Sequence, residues 1–127
     1  MAVYGALKVN ARLACGDDYA IGPGKASVLD AVAAHGSISA AGRALGMSYR
    51  RVWMLVDSMN RCWDTVLVET SAGGRGGSRL SERGREVLGR YRAMEARMLA
   101  AATAGDYALL VGHIREIPLA SEKAGPD

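Results

Sequence analysis

Phenylalanine is missing from this sequence altogether, and aromatic residues make up only 6% of it. A core built here must come from Leu, Val, Ala and Met. Cysteine is scarce too: Cys15 and Cys62 are too few and too far apart along the chain for a disulfide scaffold or a metal site. His35 and His113 are equally isolated, with no CxxC or HExxH spacing around them. Packing or surface positions are the expectation for all four. No stretch approaches the roughly 18 apolar residues that suggest a membrane span, and the N-terminus lacks the basic start and apolar run of a signal peptide. A soluble protein of the reducing cytoplasm, with no membrane partner, is the default expectation. Paired carboxylates and a nucleophile beside a base are missing as well. The expectations are therefore no enzyme, no catalytic residue, no metal and no cofactor.

What is present is enough for one domain: 127 residues, half of them hydrophobic. We expect a domain over residues 1–103 and an appended short helix and tail over 104–127. The formal net charge is only +3, so placement matters more than total. Arg43, Arg50, Arg51 and Arg61 gather in one region, and Arg75, Arg79, Arg83 and Arg85 follow it. Acidic residues collect near Asp17 and Asp18 and in the tail. One such cluster is ordinarily a solvated face. Two of them flanking a helix-turn-helix point to a polyanion.

The helix-turn-helix runs from Ser37 to Asn60. A short helix is expected from Ser39 to Leu45, with Ser37 or Ser39 capping its free N–H groups. Gly46 then interrupts, where a left-handed backbone suits glycine. Ser48 caps a second helix whose Val52, Leu55, Val56 and Met59 form one apolar stripe at i, i+3, i+4 and i+7. At about 100° per residue, Arg50, Met54, Asp57 and Arg61 fall on the opposite face. Tyr49 and Trp53 lie on one border of that face and Arg51 on the other. Small Ala40, Ala41 and Gly42 suit the close contact between the two helices.

Upstream, Tyr4–Ala14 alternates loosely and reads as a strand. Gly16-Asp17-Asp18 and Gly22-Pro23-Gly24 bracket a loop. A first helix is expected from about Lys25 to His35, with Val28, Leu29 and Val32 inward and Gly36 at its end. Downstream, Thr65–Thr70 is short and rich in β-branched residues, again a strand. The run from Ser71 to Arg79 then holds four glycines and two arginines in nine residues, and Leu80 fits a brief returning strand. Strand, glycine-rich loop and strand directly after a recognition helix make a wing. Its glycines let the backbone lie close to a sugar-phosphate chain, and its arginines neutralise phosphate or enter a minor groove. A nucleotide cradle would need GxxxxGK[ST], or a GxGxxG that opens a helix, and GGRGGSR is neither.

Ser81 caps a last long helix, Glu82 to roughly Ala102. Val87, Tyr91, Met94, Met98 and Ala101 are spaced 4, 3, 4, 3 along it, and Leu88 and Leu99 widen the stripe. That spacing fits a dimer seam and equally fits a stripe covering its own core. Ala104-Gly105-Asp106 breaks the helix. Tyr107–Ile117 can form a short helix with Leu109, Leu110 and Ile114 apolar, ended by Pro118. The polar Ala120–Asp127 is expected to be disordered. The fold class is then mainly α with a small β-sheet: a winged helix-turn-helix with a long C-terminal dimerisation helix.

These residues resemble the ModE molybdate-responsive transcriptional regulators. The likeness is carried by Gly36–Ser39, Gly46 with Ser48–Tyr49, Trp53 and Met59–Asn60. It continues through Leu67–Glu69, the wing glycines Gly73–Gly77, Leu80 with Ser81, and Gly84. It covers about Leu7 to Ala120. A looser likeness to LysR-type N-terminal domains lacks the glycine-rich wing. The resemblance implies a winged-helix domain that dimerises and binds a palindromic operator, followed in the family by a molybdate-binding domain of small β-barrel modules. The sequence stops near Leu119–Ser121, where the linker to that domain would begin. DNA binding is expected to carry over and molybdate binding is not.

The expected mechanism puts the helix starting at Ser48 into the major groove, its N-terminal N–H groups near phosphate. Arg50 is the candidate for reading a base edge, since arginine pairs bidentately with guanine. Arg51 reads a base or holds phosphate, and Ser48 and Tyr49 donate to either. Trp53 packs under the wing or touches DNA. In the wing, Arg75, Ser78 and Arg79 are candidates for sequence-independent contacts. The expected partners are double-stranded DNA and a second copy of the chain. The rival reading is a protein-interaction module that heterodimerises with a full-length regulator and modulates it.

Overall fold

Gly5 and Gly16 decide the N-terminal part. The computed structural model describes residues 1–71 and 77–122. In it the single strand expected over Tyr4–Ala14 is instead split between two antiparallel hairpins. β1 (Ala2–Tyr4) pairs with β2 (Leu7–Val9), Tyr4 opposite Leu7, and β3 (Leu13–Cys15) pairs with β4 (Asp18–Ile21), Cys15 opposite Asp18. Gly5 and Gly16 sit at φ 54° and 60°, the left-handed region in which a tight turn is easiest for glycine. The alternation was real, but each glycine reverses the chain. The loop expected at Gly16–Asp18 is therefore a hairpin turn, and it leads into a strand whose Ala20 and Ile21 are buried.

Three helices follow: α1 (Pro23–His35), α2 (Ile38–Leu45) and α3 (Tyr49–Cys62). Pro23 and Gly24, expected in a loop, form the first turn of α1, because proline's missing N–H costs nothing there. Gly36 caps α1 at φ 74°, its N–H donating to Val32 O at 2.9 Å. Ser37, rather than Ser39, caps α2, its hydroxyl accepting from Ala40 N at 3.0 Å. Val28, Leu29 and Val32 meet Val52, Val56 and Met59 in one core. Ile21, Ile38 and Tyr91 add to the expected Leu, Val, Ala and Met.

The wing strands are β5 (Val68–Thr70) and β6 (Ser78–Leu80), antiparallel, with Val68 opposite Leu80. β5 is shorter than the expected Thr65–Thr70. The N–H of Leu67 is drawn instead to the Asn60 side chain at 2.8 Å, and its carbonyl accepts from Ser81 N at 2.9 Å. The loop at 72–76, with Arg75, lies outside the described residues.

Ser81 starts α4 (Glu82–Ala102), its hydroxyl accepting from Gly84 N at 2.9 Å and donating to Val66 O at 2.6 Å. Here the dimer-seam assignment needs correcting. Val87 and Tyr91 are 8% and 3% exposed and belong to the chain's own core. The Tyr91 hydroxyl donates to Ala11 O at 2.8 Å, and burial pushes its pKa above the usual range. Met94 is half-buried against that core, while Met98 and Ala101 are exposed. The stripe thus serves its own domain in the first half of the helix and faces outward in the second.

The last helix, α5 (Asp106–Val111), is shorter than the expected Tyr107–Ile117. No core element packs on Leu109, Leu110, Ile114, Ile117 or Leu119, which are exposed. Burial of an apolar face supplies most of a helix's stability, and these residues, 61–78% exposed, bury little. Tyr107 is the anchor: its ring meets Tyr4 edge-on at 5.5 Å, and its hydroxyl donates to Tyr4 O at 3.3 Å. Of the tail expected to be disordered, residues 123–127 lie outside the described ones.

Candidate nucleic-acid interface

The N-terminal half of α3 is held from behind and bare in front. Ser48 accepts from Arg51 N at 3.1 Å, closing the first turn. Gly46 sits at φ 67° and ends α2 in the left-handed conformation expected of it. Gly42 is where the two helices touch: a Cβ there would lie 2.8 Å from Met47 O, so no larger residue fits without moving backbone. Val52, Val56 and Met59 bury the inner stripe as read from the spacing.

The outer face of α3 presents Ser48, Tyr49, Arg50, Arg51, Trp53 and Met54 to solvent. Among the described residues, Arg50 and Arg51 have no acidic partner. Arg61 pairs with Asp57 at 3.1 Å, Arg79 with Glu69 at 3.0 Å, and Arg83 with Asp64 at 3.1 Å. Arg43, in the last turn of α2, and Arg85 also lack an acidic partner among the described residues. Arg50 and Arg51, however, are the pair that sits at the positive end of the α3 dipole, where an anion gains most.

Trp53 does not disappear under the wing. It is 48% exposed and, with Tyr49, forms one wall of a cleft of about 200 Å3. Ser37–Ser39 at the start of α2 form a second wall, and Thr70, Ser71, Gly77 and Ser78 at the wing base form the third. Among the described DNA-contact candidates, Ser78 is the one that is nearly buried. It is 9% exposed, and its N–H donates to Gly36 O at 2.8 Å. It fastens the wing to the end of α1, because a strand residue paired beside Gly77 points inward at that position. Arg79 faces outward, with a side chain 82% exposed beside Glu69. Arg75 is outside the described residues.

Two arrangements behind this face were not legible as site residues. Asn60 bonds to both Leu67 and Val68 and so joins the end of α3 to the wing. Met59–Asn60 is part of the resemblance, but nothing in the sequence says that Asn60 reaches the wing. Ser58, 9% exposed, donates to Asp18 Oδ2 and accepts from Lys25 Nζ, both at 2.9 Å. Lys25 also donates to Tyr19 O. Hydrogen bonds from Tyr19 N and Ser58, together with the Lys25 charge, hold the Asp18 carboxyl below its ordinary range. The network ties α1, β4 and α3 together beneath the exposed arginines.

A family described as "Bacterial regulatory helix-turn-helix protein, lysR family" matches residues 25–85, which run from α1 through the wing into α4. The chain is also similar to longer bacterial proteins. The chain is 34% identical over 77 residues to the "Molybdenum-pterin-binding protein MopA" of Rhodobacter capsulatus, covering 59% of this chain and 29% of the relative. It is 39% identical over 70 residues to the "Molybdenum transport protein ModE" of Azotobacter vinelandii, covering 54% and 26%. To the "DNA-binding transcriptional dual regulator ModE" of Escherichia coli K12 it is 38% identical over 69 residues, covering 54% and 24%. The match thus spans less than a third of each of these relatives. In fold, it resembles the chain in "Crystal structure of CbnR_DBD-DNA complex", with a TM-score of 0.52 and 22% identity, covering 70% of this chain and 95% of that one. The winged helix-turn-helix architecture and the ModE-type likeness of the N-terminal part therefore stand as read from the residues.

Proposed function

We propose that this chain is a sequence-specific, double-stranded DNA-binding transcriptional regulator of the ModE type, which acts as a homodimer on a palindromic operator. The observation that carries the reading is the pair Arg50 and Arg51, exposed and without acidic partners on the Ser48-capped end of α3, beside the wing base. The match of residues 25–85 to the lysR-family helix-turn-helix and the likeness to ModE regulators support it. Arg50 reads a base edge in the major groove, and Arg51 holds phosphate or a second base. Tyr49 and Trp53 line the cleft between α3 and the wing base, where a backbone sugar or phosphate of the same duplex would lie. Arg79, with Arg75, supplies contacts that do not depend on sequence. Such binding takes place in the cytoplasm and uses no cofactor or catalytic residue.

Pairing would use the outward part of the α4 stripe, Met98 and Ala101, with Met94 at its edge. A two-fold pair places its recognition helices on half-sites one helical turn, or a multiple, apart. The test is duplex selection from a random pool, followed by affinity measurement across salt concentrations and sedimentation of the pure chain. A two-fold-symmetric consensus and a dimer are expected, and Met98→Glu should shift the dimer toward monomer. A chain that binds DNA only after mixing with a full-length relative would favour the heterodimer reading. No duplex binding even at low salt would end both DNA roles for the isolated chain.

A further inference from the structure

Two thiols that lie far apart in the sequence come together at the back of the domain. Cys15 ends β3 and is opposite Asp18 of β4. Asp18 accepts from Ser58 at 2.9 Å, and Ser58 lies one helical turn before Cys62 on the same face of α3. The Trp63 indole N–H, one residue further on, donates to Ala20 O at 2.9 Å. These contacts hold the last turn of α3 against the hairpin on both sides of the cysteines. Both thiols are free and half-buried. Cys62 also lines an open groove of about 500 Å3, with Leu13, Ile21, Trp63 and Met94, so a small oxidant can reach the pair.

We propose that Cys15 and Cys62 are a redox modification site, forming a reversible intramolecular disulfide when a small hydroperoxide oxidises the protein. The inference does not depend on DNA binding. Contact with the Cys15 sulfur, then burial, raises the Cys62 thiol above its usual range, and the Asp18 carboxylate adds to this. With its thiolate disfavoured, Cys62 is placed as the resolving partner and Cys15 as the thiol that attacks first. Its thiolate takes the terminal oxygen of the hydroperoxide: an S–O bond forms, the O–O bond breaks, and the hydroxide or alkoxide that leaves takes up a proton. The Cys62 sulfur then attacks the Cys15 sulfenic acid. The S–S bond forms, the S–O bond breaks, and hydroxide departs with the Cys62 proton as water. Two thiols lose two electrons and the peroxide gains them. A low-molecular-weight thiol reverses the step by exchange. The disulfide would lock the β3–β4 hairpin to the C-terminal turn of the recognition helix, a link that cytoplasmic proteins use transiently when they use it at all.

The experiment treats the full chain with hydrogen peroxide, blocks the remaining thiols with an alkylating agent, and measures mass and linked peptides. The expected product has lost two hydrogens, takes no alkyl group, and yields one peptide pair joining Cys15 to Cys62; reductant reverses it. In the folded chain it should form about tenfold or more faster than in urea, because held groups react as neighbours. Cys15→Ser and Cys62→Ser should each abolish the link while circular dichroism stays unchanged. If a variant fails to fold, the comparison of folded and urea-unfolded wild-type chain still decides. Equal rates in the two states, only intermolecular disulfides, or separate oxidation of each thiol would overturn the proposal.

Discussion

Asn60 holds Val68 from both sides: its Oδ1 accepts from the Val68 N–H at 3.1 Å, and its Nδ2 donates to the Val68 carbonyl at 3.0 Å. Oδ1 also takes the Leu67 N–H at 2.8 Å. One side chain at the end of the recognition helix thereby imitates a neighbouring strand and sets where the wing begins. The clasp works together with the Ser78 N–H, which donates to Gly36 O at 2.8 Å, to hold the wing against the helices.

Replacing Asn60 with Ala leaves two backbone N–H groups and one carbonyl without a partner in a half-buried position. Unmade bonds of this kind cost about 1–3 kcal/mol. We expect a lower urea midpoint for Asn60→Ala and weaker duplex binding even where the protein is fully folded. Unchanged affinity in the folded variant would mean that the wing is positioned by something else.

Two glycines of α4 should respond in opposite directions. A Cβ on Gly84 would stand 2.1 Å from Leu67 O, whereas one on Gly89 would meet nothing within 4 Å. Gly84→Ala must push the wing root away from α4, an overpacking cost of about 1–3 kcal/mol. Gly89→Ala should instead stabilise by about 0.5–1 kcal/mol through helix propensity. Thermal melts of the two variants beside wild type check the sign of each.

Arg50 and Arg79 should separate base reading from phosphate attraction. Arg50→Ala is expected to cost about 1–3 kcal/mol on the preferred duplex and to relax preference at one base position. Arg79→Ala, with Arg75→Ala, should weaken all duplexes alike and make the salt dependence shallower. Because Glu69 partly neutralises Arg79 at 3.0 Å, the Arg79 loss should be modest. Sequence-blind losses of equal size for Arg50 and Arg75 would refute this division of labour.

Asp18 gives the domain an acid sensitivity of known sign. Its folded carboxyl is held below the ordinary value of 3.8, so folding favours its ionised form. That contribution is present above the ordinary value and is lost as pH falls through the lower, folded value. Asp18→Asn should therefore melt below wild type at neutral pH. The gap between the two should close in acid, where wild type also carries a neutral side chain. A gap that stays constant with pH would show that the charge is not what Ser58 and Lys25 hold.

Helices α1 to α4 were legible because their signals are local. Ser37, Ser48 and Ser81 each close the turn that follows them, Gly36 and Gly46 end helices, and the Val52–Met59 stripe lies within one element. Arg50 and Arg51 were legible for the same reason, since helical spacing alone puts them opposite that stripe. Ser78 and the seam residues were not. Alternation and heptad spacing mark a face without saying what covers it: Val87 and Tyr91 belong to the chain's own core, and the Tyr91 hydroxyl reaches Ala11 O, far away in the chain.

The sequence by itself determined the helix-turn-helix, its caps and the basic end of its second helix, since each follows from neighbours within a turn or two. Only the tertiary structure decided that Gly5 and Gly16 fold the N-terminal stretch into two hairpins, that Asn60 clasps the wing, and that Cys15 lies against Cys62. The hairpins and the Asn60 clasp are local, reaching no more than eight positions along the chain. The two thiols lie dozens of positions apart. None of these contacts leaves a periodic trace in the order of the amino acids.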